Sequence, residues 1–281
     1  MTDGCRSPDS SSSPPLMVEH PSNDNNMTLD TRSFLDRFLQ GYTKFMSPGI
    51  NQDRGIKLLQ YTLWMISYYY KDKTVLRDAL RKLCNELSFA RYVLRLLQLP
   101  PALEAARSGS WSYNPKGQIL GKILAWTMIG YYPLEHAAYV QWQTPKLLFP
   151  KTAGPSRLAE QLSAWSCRCW FAYIVTEILQ CFLELRKHKN QLNQLEHKKK
   201  TDDDDEEDDG TARVSIQSTR ATMQNLRLQI VRDLLFALPA IHWSLPNWDT
   251  QPWLSDPLVN TLMWVESVVC MYQSVASFQR Q

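Results

Sequence analysis

The chain has 281 residues with only ten glycines, which provides little material for the tight turns of an all-β fold or for phosphate-binding loops and therefore favours helices. The formal net charge of +3 conceals an acidic block, Asp202–Asp209, because the other 31 basic and 20 acidic residues give a net charge of +11. A basic body of this kind suits an anionic partner, either lipid headgroups or nucleic acid.

The first two segments of the chain differ sharply in composition. Residues 1–30 are rich in Ser, Pro and Asn, lack the apolar core of a signal peptide, and predict a disordered leader. Residues 31–101 have helical periodicity and predict amphipathic helices, the kind of segment that can lie in a membrane interface and deform it. The pair Pro100-Pro101 is expected to end them, because proline disfavours a helical conformation in the residue before it.

The rest of the chain alternates hydrophobic and charged segments. In order, we predict hydrophobic helices in 102–188, a charged disordered linker in 189–222, and C-terminal hydrophobic helices in 223–281 that are interrupted at Pro239 and between Pro246 and Pro257. None of these segments contains a clean apolar run of the roughly 20 residues that cross a bilayer. The sequence therefore predicts an all-α bundle of amphipathic and hydrophobic helices, with a disordered N-terminal leader and an acidic linker, that associates with a membrane.

The residues that usually carry catalysis or bind metals are scattered. The six cysteines and five histidines show no ligand spacing, and the chain has no glycine-rich nucleotide loop or nucleophile elbow. The adjacent pair Glu135-His136 is interpreted as a polar notch in a hydrophobic helix. We therefore expect no catalytic, metal or cofactor site, and predict that the protein is not an enzyme.

The clearest pattern is a leucine-rich face between residues 76 and 97. Its members recur at alternating spacings of four and three, which places them on one side of a helix: Leu76, Leu80, Leu83, Leu87, Ala90, Leu94 and Leu97. We call this set the leucine stripe. Basic residues flank it and could bind lipid headgroups: Arg77, Arg81, Lys82, Arg91 and Arg95. A membrane-inserting helix has this layout, but a protein core or a coiled-coil seam accounts for it as well.

A resemblance to a known family adds to this interpretation. The segment Asp53–Tyr61 resembles the N-terminal signature of the peroxisomal biogenesis factor 11 family. The matching positions are Asp53, Arg54, Lys57, Gln60 and Tyr61. Further segments that are similar to that family follow in the same order: Ser88 to Arg95, Tyr131 to His136, Ser163 to Trp170, and Asp233 to Pro239. The chain departs from the family pattern at Gly55, where an aliphatic residue is usual, and has no glycine after Gly210.

The resemblance implies a protein of the peroxisomal membrane whose N-terminal region faces the cytosol. Such a protein would insert a cationic amphipathic helix into an anionic phospholipid membrane, form homo-oligomers, and elongate the organelle before fission. Its expected partners are the fission machinery, a dynamin-like GTPase and its adaptors, and not nucleic acid. Two alternatives stay open: a pore for small metabolites lined by Lys122, Glu177 and Glu266, and a soluble helical adaptor whose leucine stripe meets a partner.

Overall fold

The computed structural model describes residues 41, 45, 49–70, 72–114, 118–144, 155–201 and 206–278, and the predicted leader 1–30 lies outside them. Every regular element in this part of the chain is a helix, which confirms the predicted all-α fold. In chain order the helices are α1 (Gly49–Tyr69), α2 (Thr74–Leu96), α3 (Leu99–Ser108), α4 (Gln118–Gln143), α5 (Pro155–Thr201), α6 (Glu206–Ser244) and α7 (Asp256–Phe278).

Six of the helices form a closed ring of packed neighbours. The ring runs from α1 to α2, α4, α5, α6 and α7, and then back to α1, while α3 packs on α4. Two apolar clusters fill the interior. One contains Tyr61, Val259 and Met263, the other contains Ala102 and two buried tyrosines of α4, and Trp170 on α5 packs against both. A single aromatic side chain therefore joins the two halves of the core.

The proline pair at residues 100 and 101, which was expected to end a helix, lies in the first turn of one. α2 ends at Leu96, and α3 starts at Leu99 with a proline in its first turn. Proline is tolerated there because the first backbone N–H groups of a helix have no partner within the helix. α3 ends at Gly109, whose positive φ of 74° is the left-handed cap conformation that glycine adopts without strain.

The structure also differs from the expected disordered linker at 189–222. α5 continues to Thr201 and α6 begins at Glu206, so most of this segment is helical. Leucines at 192 and 195 and Ile216 are half-buried, and Arg220 forms an ion pair with Glu196 at 2.8 Å. Among the charged residues whose side chains are described, Lys189, Arg213 and Arg220 are exposed, while the half-buried apolar residues provide contact surface between the two helices.

Pro239 does not interrupt the C-terminal helices, because α6 runs through it to Ser244. The side chain is fully buried, so packing compensates for the backbone hydrogen bond that proline cannot donate. The expected interruption near Pro246 is present, since a loop joins α6 to α7. Among the described helices, none is long and apolar enough to cross a membrane.

Candidate functional site

The signature segment of α1 converges on one arginine of α2. Arg91 donates from Nε to Oδ1 of Asp53 at 2.9 Å and from Nη1 to Oε1 of Gln60 at 3.1 Å. Its side chain is 7% exposed. Burial alone would raise the pKa of Asp53, but the charges of Arg91 and Arg95 outweigh it and hold that pKa below its ordinary value. The sequence assigned Arg91 to lipid headgroups, whereas the structure commits it to the junction of α1 and α2.

Lys57 connects the same segment to the C-terminal helices. It is buried, forms an ion pair with Glu266 on α7, and lies 3.8 Å from the ring centre of Phe236 on α6. Burial lowers the pKa of Lys57 to about 8, against the opposing effect of Glu266. Glu266 also accepts a hydrogen bond from Nε of Arg232 at 3.0 Å. One fully buried carboxylate is thus the shared partner of two cations.

The remaining signature residues also contact other helices. Tyr61 is buried in the apolar cluster with Val259 and Met263 on α7. Arg54 donates to Oγ of Ser274 at 2.9 Å, also on α7. The residues that carry the resemblance therefore share a structural task, which is to fix α1 between α2 and α7.

Arg95 makes the corresponding connection from α2 to α4. Its Nη1 lies 2.9 Å from Oε1 of Glu135 and donates to the hydroxyl of Tyr131 at 2.6 Å. Tyr131 in turn donates to Glu135, which is buried. The ring nitrogens of His136 lie 2.6 Å from the carbonyl oxygens of Tyr132 and Tyr92. In the structure, the pair Glu135-His136 joins two helices.

The leucine stripe lies beside the edge of α2 that packs against the bundle, where Cys84 and Arg91 are buried. Leu80, Leu87 and Leu94 are half-buried along the boundary of the contact with the bundle. Leu76, Leu83 and Leu97 are 42%, 46% and 68% exposed, and Ala90 is exposed as well. At 3.6 residues per turn, the centre of the stripe is about a quarter of a turn from the buried Cys84 and Arg91. The stripe is therefore an apolar surface and contributes only one edge to the core.

Three of the five predicted headgroup-binding residues remain at the surface. Arg81 and Lys82 are exposed, and Arg77 is half-buried with Nε 3.0 Å from Oδ1 of its neighbour Asp78. The guanidinium of Arg81 lies 5.9 Å from the ring centre of Trp64 on α1. These cations and the exposed leucines are accessible on different sides of α2, whereas Arg91 and Arg95 are held in contacts with α1 and α4.

The sequence patterns did not predict that α2 packs against the bundle through a polar edge. Cys84, Ser88, Arg91 and Arg95 follow a spacing of four, three and four, next to the leucine stripe, and Cys84 and Arg91 are buried. This second periodicity was visible in the sequence. It was not identified because arginines on an amphipathic helix are ordinarily assigned to the solvent side.

Of the residues proposed to line a pore, Glu177 and Glu266 are both buried, and the charge of Arg232 acts on each of them. Glu266 is neutralised by Lys57 and Arg232, while Glu177 is buried and accepts a hydrogen bond from the hydroxyl of Tyr113 at 3.3 Å. Lys122 is half-buried on α4. Within the described part of the chain, no group of three or more His, Cys, Asp or Glu side chains could hold a metal ion.

Comparison with known proteins identifies the family. The model of the family described as Peroxisomal biogenesis factor 11 matches residues 39–274, which include all of α1 to α6 and most of α7. Neither the curated proteins nor the solved structures gave a match. The matched region contains the signature residues that fix α1 between its neighbours. The chain is a member of the peroxisomal biogenesis factor 11 family, which is a family of organelle biogenesis factors and not of enzymes.

Proposed function

We propose that this peroxisomal biogenesis factor remodels the peroxisomal membrane by inserting the leucine stripe of α2 into the cytosolic leaflet. The observation that carries the proposal is the outward position of Leu76, Leu83 and Leu97 on a helix whose packed edge is polar. An apolar face that is left outside a helical bundle implies that something else covers it. A lipid surface suits this one because exposed cations lie on the same helix.

The energies are sufficient for reversible binding. Burying a leucine fully is worth about 1.5–3 kcal/mol, so the three most exposed leucines at half depth contribute on the order of 3 kcal/mol. Each basic residue close to an anionic leaflet adds about 1 kcal/mol, which Arg77, Arg81 and Lys82 can provide. The sum, on the order of 6 kcal/mol, makes a single copy bind reversibly. Several copies acting together would hold the membrane more firmly.

A second apolar surface supports membrane association. α5 packs between α4 and α6 and runs antiparallel to both. The stretches that face each other on the three helices carry exposed apolar residues: Ile119, Ile123 and Trp126 on α4, Val175, Leu179, Phe182 and Leu183 on α5, and Val231, Leu234 and Leu238 on α6. Beyond these stretches, the outer sides of α5 and α6 become basic: Arg186, Lys187, Lys189, Arg220 and Arg227. An apolar layer bordered by cations suits contact with acyl chains and headgroups.

We propose further that the N-terminal region faces the cytosol and that copies of the protein self-associate on the membrane. Exposed apolar surface on several helices provides contacts for a second copy. A dynamin-like GTPase and its adaptors would then act on the elongated membrane. The orientation is tested by giving the protein an N-terminal epitope tag and comparing antibody labelling of intact and permeabilised peroxisomes. An epitope that is detected only after permeabilisation would contradict it.

The membrane proposal is tested with purified full-length protein and phosphatidylcholine vesicles that contain phosphatidylserine. In the test variant, Leu83→Glu is combined with Leu97→Glu. In the matched control, Val93→Glu is combined with Leu96→Glu, since Val93 and Leu96 are exposed apolar residues of α2 outside the stripe. We expect the test variant to lose vesicle flotation and tubulation and the control to retain both. If both variants lost flotation and tubulation equally, or if neither variant lost them, the assignment of the stripe to the membrane would be contradicted.

A further inference from the structure

We infer that two ion pairs, Arg91–Asp53 and Arg95–Glu135, are positioning contacts that hold α2 rolled so that its leucine stripe faces outward. The inference rests on the proposed function, because it explains how that stripe comes to be available to a membrane. It assigns to Arg91 and Arg95 a role different from the lipid contact that their positive charge suggested.

α2 packs about a quarter of a turn away from the orientation that burial of apolar surface favours. An amphipathic helix ordinarily turns its apolar face into the bundle and its charged face to solvent. Here Cys84 and Arg91 are the buried residues of α2, while Leu83, one position away, is 46% exposed. A roll of about a quarter of a turn would bury the stripe and expose the arginines. Some interaction must therefore oppose that roll.

The two arginine pairs are placed to oppose it. Asp53 belongs to α1 and Glu135 to α4, so acidic partners on two different helices hold neighbouring turns of α2. Both pairs have N–O distances of 2.9 Å. Additional bonds from Arg91 to Gln60 and from Arg95 to Tyr131 fix the direction of each guanidinium. A roll of α2 would break all four contacts and leave the buried Glu135 and the partly buried Asp53 without their cations, which is strongly unfavourable.

The helix contains a natural reporter of its own rotation. Cys84 lies in the packed edge at 5% exposure, with its thiol 3.3 Å from the carbonyl oxygen of Gln60. In one background the other five cysteines are replaced by alanine, so that only Cys84 reacts with a maleimide. In a second background the same five cysteines are replaced, Cys84→Ala is added, and Leu83→Cys places the single thiol in the stripe. A roll exposes the first thiol and buries the second.

The test variant combines Asp53→Asn with Glu135→Gln, which removes both acidic charges and nearly preserves side-chain shape. We expect the labelling rate of Cys84 to rise by about tenfold, equivalent to about 1.4 kcal/mol in the rotational equilibrium, and that of Leu83→Cys to fall. The matched control, Asp78→Asn with Glu86→Gln, changes two exposed acidic residues of α2 and should leave both rates unchanged. Arg91→Asp should shift the rates as the test variant does, and adding Asp53→Arg should restore them.

The two labelling rates separate a roll from general loosening. Unchanged rates would overturn the inference, and so would a rise in both rates, because α2 would then have detached without rotating. Flotation with phosphatidylserine-containing vesicles, measured on the same variants, should fall as the stripe becomes protected. If the labelling rates change as expected but flotation does not, the positioning role stands and the membrane role of the stripe fails.

Discussion

Lys57 on α1 and Glu266 on α7 form a buried ion pair between residues that are 209 positions apart in the chain. Arg232 on α6 shares the same carboxylate, so three helices meet at one charge. Because Glu266 is fully buried, its charge is compensated within the protein. This contact ties the signature segment to the C-terminal helices.

Replacing Glu266 by glutamine should lower the free energy of unfolding by about 3–5 kcal/mol, because two buried cations lose their charge partner. Urea denaturation followed by circular dichroism measures the change. Glu86→Gln, which alters an exposed acid on α2, should change stability by less than about 0.5 kcal/mol. Equal effects of the two substitutions would show that the buried network does not stabilise the fold.

Asp53 predicts an acid-dependent loss of stability. Its pKa is lower in the folded protein than in the unfolded chain, so the unfolded chain binds the proton more readily. The contribution of the charge is therefore present above the ordinary value of 3.8 and is lost as the pH falls through the lower folded pKa. Urea denaturation between pH 7 and pH 2 should show the wild type converging on Asp53→Asn at acid pH. A constant difference across that range would contradict the prediction.

Gly121 is predicted to tolerate no side chain. A Cβ atom at this position would lie 2.4 Å from the backbone nitrogen of Ser112 and 2.7 Å from the carbonyl oxygen of Gly109. Backbone atoms cannot move aside cheaply, so Gly121→Ala should cost about 1–3 kcal/mol and lower the melting temperature. At Gly41 a Cβ would meet nothing within 4 Å, and Gly41→Ala is the control. A normal melting temperature for Gly121→Ala would place the loop before α4 elsewhere.

Arg81 and Lys82 should contribute to vesicle affinity through charge alone. Replacing both by glutamine removes about 1 kcal/mol each, which weakens binding to phosphatidylserine-containing vesicles by about 30-fold. Added salt should reduce the difference between variant and wild type, because it screens exposed charges. The control replaces Arg107 and Arg157 by glutamine, since both are exposed cations, one on α3 and one on α5. Equal weakening by both pairs would indicate an effect of net charge and not of α2.

Much of the fold could be predicted from the spacing of apolar residues and from the positions of prolines. The four-three periodicity of the leucine stripe identified α2, and the loop between Pro246 and Pro257 separates α6 from α7 as expected. The start of α3 at Leu99 was missed because Pro100-Pro101 was interpreted only as a stop, although the same residues are suited to a helix start. The helices within 189–222 were missed because charge was given more weight than the half-buried leucines inside the hairpin.

The rotation of α2 could not be predicted in the same way. Periodicity shows which residues share a side of a helix, but it does not show which side meets a neighbour. That choice depends on Asp53 and Glu135, which come from two other helices and are brought to Arg91 and Arg95 only by the fold. The leucine stripe was therefore visible in the sequence, whereas its outward position depends on contacts between segments far apart in the chain.

An environment-sensitive fluorophore on α2 tests most directly whether the leucine stripe enters the lipid. A nitrobenzoxadiazole label is attached to a single cysteine at position 83, in the stripe, or at position 96, an exposed apolar position outside it. With phosphatidylserine-containing vesicles, the label at position 83 should shift to shorter wavelength and be quenched by doxyl-labelled lipids, while the label at position 96 should not. Equal responses at both positions, or none at position 83, would contradict the account.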